Sequence, residues 1–209
     1  MTKSWMFLTV AVAAFAGVGT QNDERLTLTI QVFDETAIGR SALRSAEEEA
    51  ARIFARSGID VTFTNCPLPD PRRFGKQICP EPDDPRVFSL WVRAEDDRTI
   101  RTTDTALGFS MPLAPRANHF SAIYPRVKEF ASRGDGVGSS KVLAAVIAHE
   151  LGHLLFRSNL HGGGIMRARW SETELKKLSQ SQLVFSTEQS AQLRRGLLAR
   201  TSRETSSGK

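Results

Sequence analysis

His149-Glu150-Leu151-Gly152-His153, followed by His161 and then by Gly164-Ile165-Met166, is the segment of this chain whose residue types and spacing can do chemistry. Residues four apart on a helix project from one face about one turn apart, so the imidazoles of His149 and His153 can hold the same metal ion. Glu150 lies beside that face, placed to take a proton from a metal-activated water rather than to ligate, and that division of labour is the mechanical content of HExxH. Two histidines leave a tetrahedral zinc one protein ligand short of a catalytic site. His161 arrives soon after the helix must end, and the fourth position stays open for water. One Zn2+ on His149, His153 and His161, with Glu150 as general base, predicts a zinc metallopeptidase acting on peptide or protein substrates.

The flanks supply the helix that this spacing needs. Val142 to Ala148 before the motif and Leu154 to Phe156 after it are apolar, and Ser139 or Ser140 offers an N-cap. A helix this apolar is expected to be buried, where imidazoles and a carboxylate are costly unless a metal or hydrogen bonds satisfy them.

The run from His149 to Trp170 resembles the metzincin clan of zinc endopeptidases, whose signature is HExxHxxGxxH followed by a tight turn carrying a methionine. The resemblance implies an α+β, zincin-like fold: a mixed twisted sheet of about five strands packed on the active-site helix, with C-terminal helices below the cleft. It places Met166 in the hydrophobic floor beneath the metal, in a turn that Gly162, Gly163 and Gly164 permit. It also makes the residues after Met166, with Arg167 and Arg169, the wall of a pocket for the side chain following the cut bond. Trp170 reads there as a core anchor as well. The match has departures. The signature's bending glycine falls on Phe156 and its third ligand on Asn159, while a longer, archaeal-type signature puts them at Arg157 and Leu160. The nearest histidine is His161, and imidazole is a better zinc donor than an amide oxygen, so His161 is assigned as third ligand. Asn159 is then expected to take the left-handed conformation that glycine would have supplied. In a rival class of zinc enzymes a helical glutamate completes the shell, which here leaves Glu172 and Glu174 as alternatives. Ala168 stands where some metzincins have a tyrosine that assists the metal.

Several elements must position these groups. Leu26, Leu28, Ile30 and Val32 alternate with polar residues, which predicts a half-buried strand. Leu43, Ala46, Ala50 and Ile53 recur at helical spacing from about Ser41 to Ala55, with Gly58 as a stop, and Ile59, Val61 and Phe63 alternate again. Strand, helix, strand predicts a parallel unit. Further strands are expected at Val87 to Val92, Ala106 to Met111 and Phe120 to Tyr124, the last leading through Gly134 to Gly138 into the motif helix. Leu107-Gly108-Phe109-Ser110 is a candidate edge that binds substrate backbone by strand addition. Ser171 with Glu174, and Ser186 with Gln189, fit capping boxes that open helices near Glu172 to Ser179 and Thr187 to Arg200. Ala191, Leu197 and Leu198 on the second are expected to pack beneath the site.

A length of 209 residues with 40% hydrophobic content suits one domain, expected over residues 20–200. The N-terminus has one positive charge and then an apolar run from Met6 to Gly19, shorter than the roughly 20 residues of a membrane span. With the A-x-A-like Ala14-Phe15-Ala16, residues 1–19 read as a signal peptide cut after Ala16 or Gly19. The product is expected to be secreted or periplasmic, with no stable membrane insertion after cleavage. Little sequence separates this segment from the first strand, so no large inhibitory propeptide is expected. Cys66 and Cys79 flank a proline-rich stretch and, in an exported chain, read as a disulfide worth about 3 kcal/mol. The net charge of +5 is spread along the chain, and Arg40, Arg44, Arg52 and Arg56 are answered by Glu47, Glu48 and Glu49. That pattern is a solvated face and excludes a nucleic-acid footprint. The polar tail 201–209 is expected to be disordered. The alternative to an enzyme is a catalytically silent secreted zinc-binding or interaction module on the same scaffold, against which Glu150 argues.

Overall fold

The structure, a computed structural model, describes residues 25–69, 79, 83–94, 105–114, 117–134 and 136–207. The signal peptide expected over 1–19 lies outside the described residues, as does most of the proline-rich stretch. Leu28, Ile30 and Val32 do alternate inward on β1 (Leu26–Asp34), each almost fully buried. Helix α1 (Arg40–Ala55) buries Leu43, Ala46, Ala50, Ile53 and Phe54, and turns Arg40, Arg44 and Arg52 to solvent. Gly58, at φ 74°, makes the left-handed turn into β2 (Ile59–Cys66), which pairs parallel to β1 as the pattern predicts.

The strands β3 (Val87–Arg93), β4 (Gly108–Ser110) and β5 (His119–Ile123) complete one five-stranded sheet in the order β2-β1-β3-β5-β4. The four longer strands run parallel and β4 runs antiparallel at one end, so the α+β, mixed-sheet class is as expected. Helix α2 (Tyr124–Ser132) was not expected, because only Val127 and Ala131 on it are buried and the strand pattern runs into it. Pro125 in its first turn suits a helix start.

Helix α3 (Ser139–Phe156) carries the motif, and every residue from Val142 to Leu155 is buried. A helix apolar on all sides belongs at the centre, and α3 packs on α1, α2, β4 and β5, and on α4 (Glu172–Ser179) and α5 (Thr187–Ser207). Its N-cap is Gly138 and neither serine caps it; the Ser140 hydroxyl instead donates to the Ala42 carbonyl at 2.9 Å, tying α3 to α1. Both expected capping boxes form, Ser171 with Glu174 and Ser186 with Gln189.

Two expectations for α5 need correction. Leu198 is 49% exposed, and the buried pair is Leu193 and Leu197, one turn apart. The helix also continues to Ser207 through the segment expected to be a disordered tail, since no glycine or proline interrupts residues 201–207. Gly196 is what lets α5 approach α3, because a Cβ there would lie 2.0 Å from the Leu155 carbonyl oxygen. Cys66 and Cys79 form the expected disulfide. Among the described residues no helix is long and apolar enough to cross a membrane.

Candidate metal centre

The histidines converge because of how α3 ends. Arg157 takes a left-handed conformation at φ 51°, and the Ser158 amide donates to the His153 carbonyl, so the chain reverses after one last turn. The bend therefore falls at Arg157 and not at Asn159, correcting the expectation. This is also where the longer form of the signature has its glycine. The reversal brings His161 back over the helix, with its ring 5.3 Å from that of His149 and 4.9 Å from that of His153. One ring nitrogen from each of the three lies within 4.8 Å of the others. Glu172 and Glu174 do not join this group; Glu174 is held by the Ser171 hydroxyl and by Arg167.

Backbone carbonyls set the tautomers. His149 Nδ1 donates to the Ile165 carbonyl at 2.8 Å, and His153 Nδ1 donates to the Ser158 carbonyl at 2.7 Å. A neutral imidazole has one N–H, so both Nε2 atoms are left as bare acceptors, facing each other at 3.1 Å. Burial drives the His149 imidazole down to about 4, helped by the neighbouring His153 and His161, and lowers His153 likewise, so neither ring gains a second proton to bridge the gap. Two facing lone pairs are satisfied by a cation. The ligand nitrogens of a tetrahedral zinc sit about 3.3 Å apart, close to this separation, and carbonyl-held Nδ1 groups are the usual support for such ligands. The residues present fit zinc.

Gly162, Gly163 and Gly164 carry the chain from His161 into a 3-10 turn (Gly164–Met166) whose Ile165 carbonyl accepts from both His149 and Trp170. Met166 is buried beneath α3, where a Cβ on Gly152 would lie 2.8 Å from its sulfur. The motif's glycine is thus the seat of the methionine expected in the floor.

Glu150, the next residue round α3 from His149, lines the same cleft and reaches toward β4. Burial pushes its carboxyl up to about 7, and the Ser110 hydroxyl, donating to Oε2 at 2.8 Å, opposes part of that rise. The Ser110 hydroxyl thus serves Glu150, whereas the expectation at Leu107 to Ser110 concerns the strand backbone. Gly108 makes the approach possible: a Cβ there would be 2.6 Å from the Ser121 carbonyl oxygen and 3.0 Å from Glu150 Cγ.

These groups line one open cleft of about 610 Å3. Leu107, Gly108, Phe109 and Ser110 form one wall, and Arg167, Ala168, Arg169 and Trp170 another, with Asn159 at the rim. The outer backbone edge of β4 has no strand partner among the described residues. Trp170 is both wall and anchor, since it packs on Phe130 and its ring edge meets His149. Phe130 and Arg133 also line the cleft and were missed with α2; Pro125 and the Val127–Ala131 spacing were the available signals.

No protein-family model matches this chain, and no curated protein matches it significantly. Solved structures do. A zinc-dependent peptidase from Methanocorpusculum labreanum aligns at a TM-score of 0.50 and 18% identity, covering 78% of this chain and 99% of that one. An archaemetzincin from Methanopyrus kandleri aligns at a TM-score of 0.49 and 13% identity, covering 87% of this chain and 99% of its own. The chain shares the fold of the first of these, a solved zinc-dependent peptidase.

Proposed function

We propose that the chain is an exported zinc-dependent endopeptidase. The observation that carries this reading is the convergence of the His149, His153 and His161 ring nitrogens in an open cleft, beside the buried carboxylate of Glu150. Three protein ligands with one position open is the composition of catalytic zinc sites, whereas structural sites are closed by four. The fold shared with a solved zinc-dependent peptidase supports it.

When bound, zinc supplies a Lewis acid that polarises the scissile carbonyl and acidifies the attacking water. Glu150 takes the proton of that water on Oε1, with Ser110 holding Oε2, and passes it to the leaving amine. In the metal-free site burial pushes the Glu150 carboxyl up to about 7, and a bound zinc would draw it back toward the ionised form that a general base needs. The substrate backbone pairs with the open edge of β4 at Leu107 to Ser110, and Arg167 and Arg169 wall the opposite side. The Cys66–Cys79 disulfide supports export, because an oxidising compartment keeps such a bond closed.

Metal analysis and a peptide-library digest test the reading together. The wild-type protein should hold one zinc and cut within peptides, and Glu150→Gln should keep the zinc and cut nothing. Zinc lost from a folded Glu150→Gln would make the carboxylate a ligand. Zinc retained in a wild type that cuts no peptide would replace the enzyme by a silent zinc-binding module.

A further inference from the structure

The cleft is strongly unbalanced in charge. Arg133, Arg167 and Arg169 line it, and among the described lining residues Glu150 is the sole acid. Glu150 does not answer them, since its carboxylate is buried and faces Ser110. Two of the arginines have their own partners: Arg133 pairs with Glu129 one turn earlier, and Arg167 with Glu174 at 3.5 Å. Neither of those acids lines the cleft.

Arg169 differs. It is exposed and has no hydrogen bond or ion pair among the described residues. Its neighbour Trp170 is pinned by Phe130 and by the Ile165 carbonyl, which fixes the course of the segment along the cleft. A guanidinium on a flat surface gains little from one carboxylate, because water screens the pair. Inside a concave site walled by Leu107, Phe109, Phe130 and Trp170 the screening is weaker, and the planar fork matches a carboxylate in two-point geometry.

Resting on the peptidase reading, we propose that the cleft selects peptides bearing a carboxylate close to the scissile bond, with Arg169 as the group that binds it and Arg133 and Arg167 adding to the field. The carboxylate comes from an aspartate or glutamate side chain or from the peptide's C-terminus, and the test separates the two.

Labelled hexapeptide pools, with Asp or Asn fixed at each position in turn and the C-terminus free or amidated, are titrated by fluorescence anisotropy against zinc-loaded Glu150→Gln protein. One carboxylate-bearing pool should bind about tenfold more tightly than its neutral twin. Adding Arg169→Ala should shrink that ratio to within about twofold, while Arg133→Ala and Arg167→Ala keep most of it. A preference that survives amidation assigns a side-chain carboxylate, and one abolished by amidation assigns the terminus. Equal binding of the twins, or full discrimination in a zinc-loaded Arg169→Ala protein, overturns the proposal. Digestion of the neutral pools by wild-type protein keeps the two readings apart. Cleavage without carboxylate preference sinks this proposal alone, and preference in binding without any cleavage sinks the peptidase alone.

Discussion

Gly108→Ala adds one methyl group to the edge strand and tests how the base is held. The new Cβ would lie 2.6 Å from the Ser121 carbonyl oxygen, 2.8 Å from Val146 Cγ1 and 3.0 Å from Glu150 Cγ. Carbon contacts run at about 3.5–4.0 Å, so β4 must retreat from α3 by about 0.5–1 Å. Ser110 lies two residues along the same strand and retreats with it. Its 2.8 Å bond to Glu150 then stretches to about 3.5 Å, beyond useful hydrogen bonding. A misplacement of about 1 Å in a catalytic site costs on the order of 100-fold in rate, and kcat on a peptide substrate should fall by about that factor. Zinc content should be unchanged, because none of the three nearest atoms that the new Cβ meets belongs to a histidine. Overpacking of about 1–3 kcal/mol should lower the thermal midpoint by about 2–12 °C. Ser110→Ala, which loses the bond without the clash, should cost less rate and little stability. Turnover of Gly108→Ala within threefold of wild type would refute the idea that β4 positions Glu150. Loss of zinc would show that the disturbance reaches the histidines instead.

Further outcomes follow from the same geometry. His161→Ala should lose most of its zinc under mild chelation, while Asn159→Ala retains it, as measured by metal content after dialysis; the reverse ranking would make Asn159 the ligand. Arg157→Gly should raise the thermal midpoint by about 2–4 °C, since glycine relieves about 1 kcal/mol of left-handed strain at φ 51°. In chelator-treated protein, Glu150 and His149 should give opposite pH slopes in urea unfolding. The folded state keeps the Glu150 proton up to about 7, against 4.5 for a free carboxyl, so that group's contribution to stability is lost as pH rises through about 7. The folded state refuses a proton at His149 until about 4, against 6.5 when unfolded, so that contribution is lost as pH falls from 6.5 toward 4. The two oppose in the wild type. Glu150→Gln should therefore show stability that climbs from about pH 4 to 6.5, and a flat or falling profile would contradict the assignment.

Much of the site was legible because it is local. The i, i+4 spacing of His149 and His153 fixes their shared face on any helix, and the apolar flanks of that helix foretell its burial. Alternation in β1 and β2, the Ser171 and Ser186 boxes and the cysteine pair likewise rest on patterns within one element or on simple chemistry. What was missed depends on contacts between elements. The left-handed residue sits at Arg157 because the Ser158 carbonyl must reach His153 Nδ1, a demand that outweighs the preference of asparagine for that conformation. The Ser110 hydroxyl meets Glu150 across forty residues of sequence. Helix α2 buries too few apolar residues to show a clear period, so Phe130 and Arg133 could not be placed in the cleft.

X-ray absorption at the zinc edge of the zinc-loaded protein tests the central claim most directly. Three imidazoles and one further light donor at about 2.0–2.1 Å are the expected shell, falling to two imidazoles in His161→Ala. A shell with only two imidazoles in the wild-type protein, or a wild-type protein that binds no stoichiometric zinc, would contradict the account.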